Sequence, residues 1–312
     1  MPLTAGVTAL CEDNDNNLWM GTTQGLVVQN RRTGSTVKYA NKPANANSIT
    51  NNSLSIVTYD GVGALCKDQE GTIWIGTPNG LTRFNAASRT FTRFQHNPED
   101  PGSISPGFVR SITEAGNGDI WIGTDFTGYN ASGLSLLNKR TGTFTNFKRN
   151  PADSGSISRD FISSILVDQR ENVWVGTYLN GGLNYLERKT GKFRHFLKNI
   201  TVFSLLKDTY GTLWVGTDAG LFQSANSTQR FVPFTDPGSR IEKMTVLSIR
   251  EDDQKNLWIS TQMGICKIDL RTRKVTFFGM SHGVGKDFSI SFACPNSLSL
   301  VRSRSPAINL FR

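Results

Sequence analysis

The chain has 312 residues, is 37% hydrophobic and contains 30 glycines, which suits a β protein with many turns. Its 34 Lys and Arg residues outnumber its 25 Asp and Glu residues and give a net charge of +9. The sequence shows neither a recognisable signal peptide nor an apolar run of membrane-spanning length, and its four cysteines contain no Cys-x-x-Cys pair. We therefore expect no redox pair, no metal site and no cofactor.

A short phrase recurs along the chain and contains all six tryptophans. In each copy, Trp stands between two hydrophobic residues and is followed by Gly or Ser and then Thr. The steps between successive tryptophans are 55, 47, 53, 40 and 44 residues, a period that indicates a propeller, a solenoid or an array. The copies are Leu18–Thr22, Ile73–Thr77, Ile120–Thr124, Val173–Thr177, Leu213–Thr217 and Leu257–Thr261.

Each repeat predicts the same four strands in the same order. The first is an apolar stretch with a small residue inside it, such as Val109–Ile112, and a turn that usually contains Asp leads to the Trp strand. A Gly opens the third strand, and a basic turn leads to an outer strand with aromatic residues, such as Phe144–Phe147. Four strands in about 40–45 residues is the size of a propeller blade. The tryptophans are expected in the core between blades.

The sequence thus predicts an all-β propeller with six clear four-stranded blades in residues 1–281. Residues 282–312 lack the Trp phrase and are expected to form a degenerate seventh blade or the truncated start of a following segment. Leu3–Gly6 aligns with Ile104–Gly107, the end of a link between blades. We therefore expect the chain to be a piece of a larger gene product.

Many cations fall in the turn between the third and fourth strands. Up-and-down connectivity places all these turns on one rim, and the expectation is a solvated rim, with an acidic partner or anionic headgroups as the alternative. Nucleic acid is not expected, because these turns carry no exposed aromatic residues for base stacking.

The opposite rim holds the loops that depart most from the repeat, and a ligand is expected there because loops vary while blades hold them in place. Aromatic rings beside Asn and Asp side chains are suited to binding a sugar. The alternative is that Tyr129 and Tyr178 only anchor their loops. The candidate ligand-binding residues are Phe126, Tyr129, Asn130, Tyr178, Asn180, Tyr59, Asp60, Arg110 and Arg159.

No residue is predicted to be catalytic. His96, His195 and His282 fall at different phases of the repeat and accompany no evident carboxylate pair. The Gly-x-Ser-x-Gly and His-Glu-x-x-His motifs are absent from the sequence. A propeller enzyme such as a polysaccharide lyase, or a scaffold that binds a protein partner, remains an alternative to a non-catalytic ligand-binding propeller.

The repeat resembles the two-component regulator propeller repeat. The shared pattern is Asp-x-x-Gly-Asn/Thr-hydrophobic-Trp-hydrophobic-Gly-Thr-x-x-Gly-Leu, followed by Lys/Arg-Thr-Gly-x-Phe-x-x-Phe and then Asn-Pro-x-Asp-x-x-Ser-hydrophobic-Ser. It is fullest in residues 97–147 and 150–196, and the resemblance spans roughly residues 4–279. His282–Phe288 and Asn309–Phe311 also resemble parts of the segment that follows the Trp blades in this family.

The resemblance implies a ligand-sensing propeller outside the inner membrane, in the periplasm, that recognises an oligosaccharide or another small ligand. A membrane helix would couple it to a histidine kinase, a hybrid kinase or a diguanylate cyclase. That output domain of the same gene would be missing from this chain. The resemblance leaves a homodimer open as a further partner.

Overall fold

In a computed structural model, the described residues are 7–22, 24–42, 44–49, 64–125, 132–225, 230–236 and 238–279, and they form six antiparallel sheets of four strands each. Blade one contains β1 (Val7–Glu12), β2 (Asn17–Thr22), β3 (Gly25–Asn30) and β4 (Thr36–Tyr39). Blade two contains β5 (Ala64–Lys67), β6 (Ile73–Thr77), β7 (Gly80–Asn85) and β8 (Thr90–Phe94). Blade three contains β9 (Phe108–Glu114), β10 (Ile120–Asp125), β11 (Leu134–Leu137) and β12 (Phe144–Phe147).

The remaining three blades follow the same plan. Blade four contains β13 (Ile162–Val167), β14 (Val173–Thr177), β15 (Gly182–Glu187) and β16 (Lys192–Phe196). Blade five contains β17 (Val202–Lys207), β18 (Leu213–Thr217), β19 (Gly220–Ser224) and β20 (Phe231–Pro233). Blade six contains β21 (Val246–Glu251), β22 (Asn256–Thr261), β23 (Gly264–Asp269) and β24 (Val275–Phe278). A short 3₁₀ helix, Ile241–Lys243, lies in the link between blades five and six.

Within every blade the strands pair in chain order, so each sheet is an up-and-down meander. The first strands of successive blades contact one another from β1 to β21, which places them innermost in the ring. The predicted all-β propeller with six four-stranded blades is therefore confirmed. The predicted seventh blade falls on residues 282–312, which lie outside the described residues. None of the helices in the described part of the chain has the length and apolar character needed to cross a bilayer.

Five of the six tryptophans are buried in the core, as expected, whereas Trp258 of blade six is partly exposed. Trp74, Trp121 and Trp214 are at most 1% exposed. Trp19 packs edge-on against Phe84 of the next blade, with ring centroids 4.8 Å apart. Large buried rings of this kind dominate the apolar area that a fold removes from water.

The glycine of the Trp phrase leaves a space, here called the socket, that a Val or Ile side chain of the next blade fills. A Cβ at Gly176 would lie 2.6 Å from Val202 Cγ1, and a Cβ at Gly123 would lie 2.5 Å from Ile162 Cγ2. Gly76 and Gly216 receive a valine of the following blade in the same way. The Trp-hydrophobic-Gly spacing thus encodes blade stacking, because only Gly leaves room for this side chain.

The socket differs in blade six, and the residue that would fill a socket differs in blade one. Ser260 replaces the glycine in blade six, and its hydroxyl lies 2.8 Å from that of Ser248. Val7 occupies the position of the inserted valine in blade one and is 37% exposed, whereas Val202 is fully buried.

An aspartate six residues before the Trp joins the first turn of a blade to its core. Asp208 Oδ1 accepts backbone N–H groups at 2.9 and 2.8 Å, and its Oδ2 accepts the indole N–H of Trp214 at 2.8 Å. Asp13, Asp68 and Asp252 bond the tryptophans of their own blades at 2.7–2.9 Å. The sequence predicted the turn role of this Asp but not its bond to the indole.

Two of these aspartates have shifted pKa values. Burial raises the pKa of Asp252, but hydrogen bonds from Asn256 and from the Trp258 indole outweigh burial and lower it overall. The pKa of Asp13 is lowered by the same balance, with bonds from Trp19 and Asn17 against burial. The hydrogen bonds of these two aspartates therefore stabilise the ionised form of the carboxyl group.

Blades three and four depart from this pattern. Ala115 occupies the aspartate position of blade three, and the buried Trp121 Nε1 makes no hydrogen bond to any described residue. In blade four, Asp168 accepts a hydrogen bond from the Tyr185 hydroxyl at 3.1 Å.

The turn rim, formed by the turns between first and second and between third and fourth strands, is tied across blade boundaries. Lys139 of blade three contacts Asp68 of blade two at 3.0 Å and Glu114 at 3.5 Å. Although burial alone would lower it, the pKa of Lys139 is raised by these carboxylates. The Arg188 guanidinium lies 5.2 Å from the ring centre of Trp121, in the preceding blade. Several of the cations expected to be simply solvated therefore connect neighbouring blades.

Candidate ligand-binding rim

The loop rim comprises the loops between second and third strands and the links from one blade to the next. In every blade, a Thr hydroxyl at the end of the Trp strand donates to the carbonyl of the Gly that opens the third strand, at 2.7–3.1 Å. Two residues separate this Thr and Gly in four blades, whereas eight separate Thr124 from Gly133 and four separate Thr177 from Gly182. The same bond closes short and long loops, so loop length can change while the strands stay in place.

Five of the nine candidate ligand-binding residues lie outside the described residues and stay predictions: Phe126, Tyr129, Asn130, Tyr59 and Asp60.

Tyr178 and Asn180 lie on the loop rim and are held by contacts with the start of blade four, with the link to blade five and with blade five itself. The Tyr178 N–H donates to the Phe161 carbonyl at 2.9 Å, and its ring meets that of Phe203 edge-on at 5.8 Å. The Asn180 N–H donates to Thr201 Oγ1 at 3.2 Å. These contacts agree with the alternative that Tyr178 anchors its loop, and they still leave Tyr178 half-buried and Asn180 exposed.

The two predicted arginines occupy different parts of this rim. Arg110 Nε lies 3.2 Å from Asp125 Oδ2, and its guanidinium covers the Phe108 ring at 4.1 Å. Arg159 is exposed, and its Cγ lies 2.5 Å from where a Cβ at Gly181 would be. The structure therefore groups Arg159 with the Tyr178 loop and places Arg110 beside Asp125, where the long loop of blade three begins.

A cavity of about 220 Å³ opens on the same rim between blades two and three. The sequence did not predict a binding site at these residues, because the loop from Pro78 has the common length of the repeat. The His96 side chain is held by the Ile104 carbonyl, 2.9 Å from Nδ1. The cavity is smaller than the roughly 300–1,000 Å³ of most ligand pockets. It is lined by Pro78, Asn79, Gly80, Gln95, His96, Ser105, Pro106 and Gly107.

The described histidines are hydrogen-bonded within the fold, and the described cysteines are buried in it. His195 lies between Asn184 Oδ1, at 2.8 Å from Nδ1, and the Ser154 carbonyl, at 3.1 Å from Nε2. Cys11, Cys66 and Cys266 are buried thiols, and burial raises the pKa of Cys266 to about 12. Within the described residues, no group of three or more His, Cys, Asp or Glu side chains is arranged to hold a metal ion. His282 and Cys294 lie outside the described residues.

Four segments of the chain match the family model of the two component regulator propeller: residues 3–24, 57–79, 103–126 and 197–219. The chain therefore carries two-component regulator propeller repeats, in agreement with the resemblance seen in the sequence. No curated protein matches the chain significantly.

Solved structures share the fold at low sequence identity. The extracellular domain of a hybrid two component system from B. thetaiotaomicron is 23% identical with a TM-score of 0.71; the alignment covers 94% of this chain and 36% of that one. Virginiamycin B lyase from Staphylococcus aureus is 15% identical with a TM-score of 0.62; the alignment covers 88% of this chain and 84% of the lyase. This chain thus spans about a third of the first of these proteins, and the likeness to both concerns the fold.

Proposed function

We propose that this chain, which carries two-component regulator propeller repeats, is the ligand-sensing propeller of a two-component signalling protein. The propeller would lie outside the inner membrane, in the periplasm. The observation that carries the proposal is the repeat itself, matched in four segments. The shared fold with an extracellular domain of a hybrid two component system supports it. A kinase or cyclase domain of the same gene would supply the output.

The proposed ligand is a small oligosaccharide that binds the loop rim. Tyr178 offers a ring, Asn180 an exposed amide, and Arg159 an exposed guanidinium on the same loop and link. Rings suit the C–H faces of a sugar, and amide and guanidinium groups suit its hydroxyls. The predicted residues Phe126, Tyr129 and Asn130 would extend this surface. We expect micromolar affinity, about −8 kcal/mol, for such a polar surface.

An array of defined oligosaccharides, followed by calorimetric titration of the ones that bind, tests the proposal. The double variant Tyr129→Ala, Tyr178→Ala should weaken binding. The matched control is Tyr210→Ala, an exposed tyrosine on the turn rim, which should bind as the parent does. Equal affinity in the double variant would place the site elsewhere, and turnover of the bound saccharide would identify a lyase-type propeller enzyme instead of a sensor.

A further inference from the structure

In the part of the chain that the structure describes, the first strands of five blades contain a β-bulge at the same place. In β13, Ile162 pairs with Thr177 and Ser164 pairs with Gly176, so Ser163 is the added residue. The register shifts at the equivalent point in β1, β9, β17 and β21. The residues added by the bulges are Thr8, Arg110, Ser163, Phe203 and Leu247.

The residues on both sides of the bulge are committed to blade packing. Val202, before the bulge of β17, fills the socket at Gly176 of the preceding blade. Ser204, after the bulge, has its Oγ 2.5 Å from where a Cβ at Gly216 of its own blade would be. The same pair of contacts recurs at Ile162 and Ser164. These flanking positions are therefore restricted to Val or Ile and to Ala or Ser.

The residue between them is released from this restriction in four blades, whereas Ser163 of blade four is buried, with its Oγ 2.8 Å from where a Cβ at Gly176 would be. The added residues differ in chemistry from blade to blade: two carry hydroxyl groups, one is cationic, one is aromatic and one is aliphatic. The residues that flank them in the strand barely change. Arg110, Phe203 and Leu247 are partly exposed, although Val109, Val202 and Val246 before them are fully buried. Bulges redirect a side chain and are frequent near functional sites.

The bulges also lie at the loop rim and touch its loops. Each bulge is next to the pair that involves the last Thr of the Trp strand, where the loop to the third strand begins. Arg110 contacts Asp125 at the start of the blade-three loop, at 3.2 Å. Phe203 contacts Tyr178 in the blade-four loop, at 5.8 Å between ring centroids. Because first strands are innermost, the bulges lie at the loop-rim end of the strands nearest the propeller axis.

We propose that Thr8, Arg110, Phe203 and Leu247, which are partly exposed, are the specificity-determining residues of the sensor and form a ring at this end of the axis. The inference rests on the proposed function and names the residues that select its ligand. Arg110 and Asp125 place a fork of N–H donors beside a carboxylate acceptor, which suits two adjacent hydroxyls of a sugar. Phe203 and Leu247 offer apolar surface for the opposite, C–H face of the same sugar.

The bulge residues of other blades indicate substitutions that should preserve the fold. Arg110→Thr installs the residue of blade one, and Phe203→Ser installs the residue of blade four, so both variants should fold. The controls on the turn rim are Arg31→Ala and Tyr210→Ala. Arg31→Ala removes the ion pair with Glu12, in which the two side chains lie 3.1 Å apart. All four variants are tested with the parent on the oligosaccharide array, and their melting temperatures are measured.

We expect Arg110→Thr and Phe203→Ser to lose about tenfold or more in affinity for the saccharides that the parent binds, or to change which saccharides bind, while both controls match the parent. Parent-like affinity and selectivity in both folded ring variants would overturn the ring and leave the proposed sensor function intact. An array on which the parent binds no saccharide would overturn the carbohydrate function and the ring together.

Discussion

The two rims of the propeller are built on the same strands but are held by different means. On the turn rim, side chains repeat from blade to blade: an Asp bonds the turn and the Trp, and an acidic side chain of the next blade often bonds the turn as well. Glu114 accepts the Gln69 N–H at 2.7 Å and Glu251 accepts the Thr209 N–H at 2.9 Å. On the loop rim, the bond from the Thr hydroxyl to the Gly carbonyl repeats in every blade, whereas the loops that it closes differ in length and composition.

The difference separates stability from selectivity. The repeated contacts of the turn rim are buried or bridge blades, so a change there acts on the whole stack. The loop rim departs from the repeat at surface positions, where a change costs little stability and can alter binding.

The largest effect is expected from truncating the core aromatic residue. Trp214→Ala should destabilise the protein by about 3–5 kcal/mol, because a fully buried ring and its bond to Asp208 are lost. Tyr178→Ala, on the loop rim, should cost about 1 kcal/mol, since it loses one edge-on ring contact at a half-buried site. Urea unfolding of both variants measures the difference. A Trp214 variant as stable as the Tyr178 variant would contradict this division between the rims.

A smaller effect is expected from two aspartates of blade five. Asp208→Ala leaves two backbone N–H groups and a buried indole N–H without their acceptor, and should cost about 2–4 kcal/mol. Asp218 lies on the loop rim, is exposed and accepts one bond, from the Thr201 N–H at 3.0 Å. Asp218→Ala should cost about 0.5–1 kcal/mol. Equal unfolding free energies would show that the turn aspartate is not the stronger link.

The turn rim was largely predictable from the sequence, because the residues that form its contacts recur with the period of the blades. The Trp phrase and the turn Asp gave the strands, their order and the core. The Asp–indole bond was missed because its two residues are six apart and belong to different elements. The socket at Gly176 was missed because the valine that fills it comes from the next blade.

The loop rim was predictable only as a location. Departure from the repeat singled out Tyr178 and Asn180, and the structure places both on this rim, but a departure does not say which atoms meet. The contact of Tyr178 with Phe203 joins two blades and follows no period. The bulges were also invisible in the sequence, since an added residue in a strand looks like any other until the register of its partner is known.

The smallest effect comes from restoring the repeat where blade three lacks it. Ala115 stands where four other blades bond their Trp through an Asp, and the Trp121 indole N–H is buried without a described acceptor. Ala115→Asp should bring an acceptor to this N–H and to the turn, and the Arg188 guanidinium above the Trp121 ring would favour the new charge. We expect a gain of about 1 kcal/mol, because part of the hydrogen-bond energy offsets desolvation of the carboxylate. The control is the same substitution in a Trp121→Phe background, where the indole donor is absent and the gain should shrink. Additive effects of the two changes in a double-mutant cycle would show that Asp at this position does not act through the indole.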